Sequence, residues 1–187
     1  MGLSAYETGP TVGAVYGIPP QPPIAGNTRI LDAGAVRIGV EYRDVDPEAL
    51  RAAYAGNAAH LAELEEKSPA GGFSDEGVSV HVYDAADGHE FLRFDLFDAE
   101  PHYHYNHRPG PDGEVVNNVV PFDVTAGGDM LVWAFDRLRT RLPHMLAKAG
   151  GAELAERVDN AVLEPVLAEA QALAVAARSA YRRAARA

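Results

Sequence analysis

The stretch between Val78 and Leu96 constrains the fold more than any other, because side-chain chemistry alone places it in register as a β-hairpin. Gly88 fits the left-handed last position of a three-residue loop, Ala86-Asp87-Gly88, closed by Ala85 and His89. Counting outward, Val82 meets Leu92, Val80 meets Phe94 and Val78 meets Leu96, so every large apolar residue finds another on one face. A two-residue Asp87-Gly88 turn would pair Val82 with Arg93 and mix the faces. The opposite face then gathers Ser79, His81 and Tyr83 against Asp95, Arg93 and Phe91, a chemically rich surface on a sheet whose other side is plain core.

The remaining elements follow from periodicity. Val36, Ile38, Val40 and Tyr42 alternate with Arg37, Gly39, Glu41 and Arg43, which predicts a half-buried strand over residues 35–43. Asp46 is placed as an N-cap with Pro47 at the first helical position, opening a helix that runs to Lys67 and stops at the Pro- and Gly-rich residues 68–72. Its Leu50, Tyr54, Ala58, Leu61 and Leu64 follow helical spacing and are expected to face the sheet. After the hairpin, a bend at Ala99-Glu100-Pro101 leads into a histidine-rich strand, and residues 114–122 read as a fifth strand. From Asp129 the pattern is helical, with Leu131, Phe135, Leu138, Leu142 and Met145 on one stripe, a kink at Pro143 and an end at Gly150-Gly151. Residues 152–186 form one helix, or two with a break near Pro165, and their many alanines make this element a candidate dimer surface.

The expected fold class is α+β: an antiparallel sheet of about five strands in β-α-β-β-β-β order, with the helix and two C-terminal helices on one face. Residues 28–125 would form the sheet part and 126–187 the helical part of the same domain, preceded by an extended Gly/Pro-rich arm over 1–27. The arm carries Tyr6, Val12, Val15, Tyr16 and Ile18, which suits a segment lying on a groove, such as one of a neighbouring subunit; plain disorder is the alternative.

Composition removes several function classes. A net charge of −11 repels phosphate, so neither nucleic acid nor an anionic membrane surface is an expected partner. The chain has 0 cysteines, which excludes disulfides, thiolate metal sites and cysteine nucleophiles. With no basic-apolar leader and no bilayer-length apolar run, a cytoplasmic location is the expectation. There is no GxGxxG, no P-loop and no GxSxG elbow. The four-residue spacing of Arg178, Arg182 and Arg186 makes a basic stripe that, on an acidic body, suits pairing with acidic patches.

The chemical signature is Pro101-His102-Tyr103-His104-Tyr105-Asn106-His107. On a strand His102 and His104 share one face, and two imidazoles with a carboxylate suit a divalent metal such as zinc, iron, manganese or copper. The third ligand would come from His81, Asp95 or Asp98 across the sheet, or from His107 if the chain turns. Parity matters here. An unbroken strand puts His102 and His104 on the Leu96 side, whereas a one-residue bulge near Glu100-Pro101 brings them to the face of His81 and Asp95. The expectation is an internal, cavity-lining site under the helices. Asp95 and His81 are the candidate catalytic pair, with a His81-Asp95 hydrogen bond orienting His81 as base or ligand.

The His-x-His spacing resembles the metal motif of cupins, but Arg108 and Pro109 stand where those proteins continue with glutamate, and the long C-terminal helices depart from an all-β barrel. No family is carried over. The expected function is metal binding through the His-x-His strand with action on, or binding of, a small organic molecule. The alternative is a non-enzymatic homo-oligomeric module that uses the histidine-tyrosine strand and the arm as its interface.

Overall fold

The computed structural model of the chain describes residues 9–68 and 72–184. Its elements run β1 (Ala14–Tyr16), β2 (Thr28–Ala33), β3 (Val36–Val45), α1 (Pro47–Tyr54), α2 (Ala58–Lys67), β4 (Asp75–Asp84) and β5 (Glu90–Phe97). They continue as β6 (His102–Asn106), β7 (Asn117–Pro121), α3 (Val124–Gly127), α4 (Met130–Lys148), α5 (Ala152–Ala155) and α6 (Asn160–Ala184). Tyr6, Arg186 and residues 69–71 of the expected break lie outside the described residues.

The fold is α+β, built on one antiparallel sheet of seven strands rather than about five. The two additional strands are β1 and β2, both at edges, where one partner and little burial leave only a faint pattern. β2 joins β3 through Gly34-Ala35, where Gly34 at φ 73° supplies the left-handed first position of a tight hairpin turn. The register of β4 and β5 is the expected one, with Val82 opposite Leu92, Val80 opposite Phe94 and Val78 opposite Leu96. Near the turn, however, the register shifts so that Tyr83 pairs with Glu90. The extra residue sends Phe91 into the core, not onto the polar face where alternation put it, and brings Glu90 round to His81 instead.

Helices cover both faces of the sheet, not one. α4 and α6 bury Phe135, Leu138, Leu142, Leu163 and Leu167 against the valines, Leu92 and Phe94 of the apolar face. α1 and α2 lie over the opposite, polar face, where Leu50, Tyr54 and Leu64 line a cavity together with Arg43 and Asp95. The expected single helix over 46–67 is divided because Asn57 caps a second start, accepting from Ala59 N and His60 N, just as Asp46 caps the first. α4 runs through Pro143 and α6 through Pro165. At Pro165 the buried Leu163, Leu167, Ala170 and Ala174 hold the helix on the sheet despite one lost backbone donor. The C-terminal break falls earlier, between α5 and α6. Among the described residues no helix is long and apolar enough to cross a membrane.

The topology dictates what covers the polar face. From β2 to β7 each strand pairs with its successor, whereas β1 pairs with β7, so β1 and β2 occupy opposite edges. The connecting residues 17–27 must therefore cross the sheet, a span of about 29 Å for six interstrand spacings. Eleven residues of extended, polyproline-like chain reach roughly 34 Å, and Pro19-Pro20 and Pro22-Pro23 keep this strap extended. Its anchors fall in spatial order: Ile18 O accepts from Asn117 on β7, Gln21 O from Arg93 on β5, and Ile24 N donates to Glu41 on β3.

Candidate metal centre

The histidine strand reaches the polar face because the chain reverses after β5 instead of continuing. The antiparallel pairing sets His102 opposite Asp95 and His104 opposite Arg93, so both imidazoles share the face of Ser79, His81 and Asp95. The reversal is organised from a distance: the Asp75 carboxylate accepts from Ala99 N at 3.1 Å and Glu100 N at 2.7 Å. The internal position expected from the sequence is thus found under the strap, α1 and α2, and not under the C-terminal helices.

Three side chains converge. His102 Nε2 lies 3.3 Å and His104 Nε2 3.0 Å from Asp95 Oδ2. Each residue offers one ligand atom, all within 4.8 Å of one another, so this buried group could hold a metal ion. The remote ring nitrogens are also engaged. His102 Nδ1 faces Glu100 O at 2.6 Å and His104 Nδ1 faces Asn117 Oδ1 at 2.8 Å. The Asn117 amide is oriented by its own Nδ2, which donates to Ile18 O at 3.2 Å. Both partners are acceptors, so both Nδ1 atoms carry a proton, and each Nε2 is directed at the common point, where it donates to Asp95 when protonated and offers a lone pair when not. The other Asp95 oxygen, Oδ1, accepts from the Ser79 hydroxyl.

Electrostatics in the group are coupled. Burial alone would raise the Asp95 carboxyl, but hydrogen bonds from and charge on His102 and His104 outweigh it and hold the group well below the usual carboxylate range. Burial pushes both histidines down. For His102, at 16% side-chain exposure, Asp95 and the Glu100 carbonyl more than compensate and the net shift is upward. For the deeper His104, burial wins and the shift is downward.

His81 does not hydrogen-bond to Asp95. Its Nδ1 lies 2.6 Å from Glu90 Oε1 and its Nε2 3.2 Å from Glu41 Oε2, with the ring fully buried and stacked on Tyr83. Burial would lower its pKa, but the two carboxylates outweigh that effect and raise it. Arg93 closes the network by donating from Nε and Nη2 to the two oxygens of Glu90 at 2.8 and 2.7 Å. His107, one residue past β6, lies apart from the group, near Lys148, His89 and Gly150. Asp98 lies in the turn, where its backbone N donates to Glu76 O.

The face holds more charge than sequence reasoning assigned to it. Glu41 and Arg43 read as the wet side of a half-buried strand, yet they are 1% and 3% exposed. The available signal was their register: Glu41 pairs with Ser79 and Arg43 with Gly77, one strand away from the residues already singled out. Gln21 carried no signal at all, and Asn117 only its place in the fifth strand. The cavity above this floor is about 480 Å³, within the usual range for a small-molecule site, and its roof is largely apolar, with Ile18, Pro19, Leu50, Leu64 and Phe73 alongside Lys67.

Comparison with curated proteins and with solved structures returns no match. Residues 30–174, which include Glu41, Asp95, His102, His104 and Asn117, match the family described as "Domain of unknown function (DUF7700)", and the chain belongs to that family.

Proposed function

We propose that the chain binds one divalent transition metal through Asp95, His102 and His104 and uses it on a small organic molecule held in the adjoining cavity. The observation that carries this reading is the state of the two Nδ1 atoms. Each is held by a carbonyl oxygen, Glu100 O or Asn117 Oδ1, which is how metal-ligating histidines are oriented through their second nitrogen. Two histidines and one carboxylate leave the cavity side open and suit zinc, iron, manganese or copper. When bound, such an ion supplies a Lewis acid or an activated water.

The chain's own residues do the rest. Ser79 fixes the Asp95 carboxylate by its outer oxygen, and the strap with α1 and α2 roofs the cavity against water. His81, hydrogen-bonded to Glu90 through Nδ1 and with its Nε2 3.2 Å from Glu41 Oε2, serves as a buried cation between the two carboxylates rather than as a base. The oligomeric alternative has less to draw on: β6 is hydrogen-bonded on both edges and the described arm lies on its own chain.

The test is elemental analysis of protein purified without an affinity tag, compared with the His102→Ala/His104→Ala and Asp95→Asn variants. Near-stoichiometric metal in the parent, lost in both variants with an unchanged far-UV circular dichroism spectrum, is the expected result. Metal content that is the same in parent and variants overturns the assignment.

A further inference from the structure

The cavity floor is a sheet surface of buried charge, and its balance is informative. With His102 and His104 counted as neutral, as metal ligation requires, the floor balances: carboxylates Glu41, Glu90 and Asp95 stand against Arg43, Arg93 and His81, with His81 counted as a cation because a carboxylate faces each ring nitrogen. A divalent ion on neutral His102 and His104 leaves two positive charges in excess. Uncompensated charge in a buried site is costly, so the loaded cavity calls for an anion.

The three cations are not equally satisfied. Arg93 is held by both oxygens of Glu90 and by Gln21 O at 2.8 Å. His81 sits between its two carboxylates. Among the described residues Arg43 has one carboxylate within 4 Å, Glu41 Oε2 at 3.8 Å, and that glutamate also lies 3.2 Å from His81 and accepts from Ile24 N through its other oxygen. The hydrogen bonds Arg43 makes are to neutral acceptors of one strap residue: Gln21 Oε1 at 2.7 Å and Gln21 O at 3.3 Å. The Gln21 amide oxygen thus occupies the place that a carboxylate oxygen would take more strongly, since a charged acceptor roughly doubles the strength of such a bond. Arg43 lines the same cavity as Asp95, His102 and His104, and the roof opposite is largely apolar, with Lys67 of α2 already paired to Glu63.

We propose that the ligand of this cavity is a small organic carboxylate, its charged end held by Arg43 beside the Asp95, His102 and His104 group and its apolar body under the strap. The proposal rests on the metal reading, which supplies the excess charge, and the experiment separates the two. Phenylpropanoate, its uncharged amide and phenylpropylamine are titrated calorimetrically into protein whose metal content has been measured, and into the same protein stripped with chelator. On the metal-loaded protein the carboxylate binds roughly tenfold or more tighter than the amide, the worth of one charge-assisted hydrogen bond, and the amine does not bind. Arg43→Gln removes that preference without lowering metal content, and Arg43→Lys retains part of it.

Equal affinity for carboxylate and amide, or no measurable carboxylate binding, on protein that holds its metal overturns the proposal and leaves the metal reading in place. Protein that takes up no metal yet prefers the carboxylate through Arg43 supports the anion site and overturns the metal reading. Should Arg43→Gln fail to fold, Arg43→Lys decides: a carboxylate preference undiminished in that variant overturns the proposal, because a preference set by the metal alone does not change with the side chain at 43.

Discussion

The two faces of the sheet are buried to the same degree and built from opposite chemistry. On one, Val80, Val82, Leu92 and Phe94 are fully buried against Phe135, Leu138 and Leu167. On the other, Ser79 and His81 are fully buried and Arg93 and Asp95 are 2% and 4% exposed. The apolar face returns about 1.5–3 kcal/mol for each large side chain removed from water. The polar face gives little net return, because desolvating an ion costs about as much as its pairing recovers, and apolar replacements of buried ion pairs are often neutral or stabilising. Equal burial therefore has two different energetic meanings: one face holds the fold together, and the other adds little to stability for the charge it buries.

The largest effects should break this contrast from the apolar side. Phe135→Ala removes a fully buried ring from α4 and is expected to cost about 3–5 kcal/mol in denaturant unfolding. Asp95→Asn, equally buried, is its counterpart. The amide keeps the shape, and His102 and His104 are groups that can stand neutral, so no permanent charge is stranded and the metal-free protein should lose only about 1 kcal/mol. Comparable losses in the two variants would mean that the polar face is a stability element after all.

A smaller effect separates the strap from both faces. Gly13, just before β1, has φ 75°, and a Cβ added there would land on the Val119 carbonyl oxygen. Gly13→Ala should cost about 1–3 kcal/mol locally and loosen β1 from β7. Hydrogen exchange should then accelerate across residues 14–24 while the amides of β4 and β5 keep their protection. Loss of protection throughout the sheet would show that the strap is part of the cooperative core.

Legibility in the sequence follows the same division. The apolar face could be read residue by residue, since alternation determines which side chains meet and Val82 does face Leu92; the expected three-residue loop, however, is a four-residue one closed by Asp84 and His89, and the Phe91 bulge restores the register. His102 and His104 were visible as chemistry, and Asp95 was among the partners that register offered. What could not be read depends on long-range contacts. β1 is three residues in a Gly- and Pro-rich segment, and only its pairing with Val119 and its neighbours sends the strap across the polar face. That crossing turns Glu41 and Arg43 from surface residues into buried ones. The parity of the histidines depends on a turn held by Asp75, which is 24 positions from Ala99. Glu90 arrives beside His81 through a bulge that no alternation rule anticipates.

The smallest effect is a slope, and it sharpens the contrast because a purely apolar face would show none. Burial would depress the His81 pKa, but Glu41 and Glu90 outweigh it and raise it. A raised histidine stabilises the fold fully below its unfolded pKa of about 6.5, and that contribution is lost as pH climbs through the higher folded value. Glu90 runs the other way: burial would raise it, Arg93 and His81 overcome this and lower it, and its contribution is present above about pH 4.3 and lost as pH falls toward the depressed value. The pair therefore contributes most between about pH 4.3 and 6.5. Measured in chelator, so that metal binding adds no slope of its own, the melting temperature should decline as pH rises above about 6.5, and His81→Gln should flatten that decline. An unchanged slope in the variant would mean that His81 lies neutral between its two carboxylates, and the charge balance of the cavity floor would have to be redrawn without it.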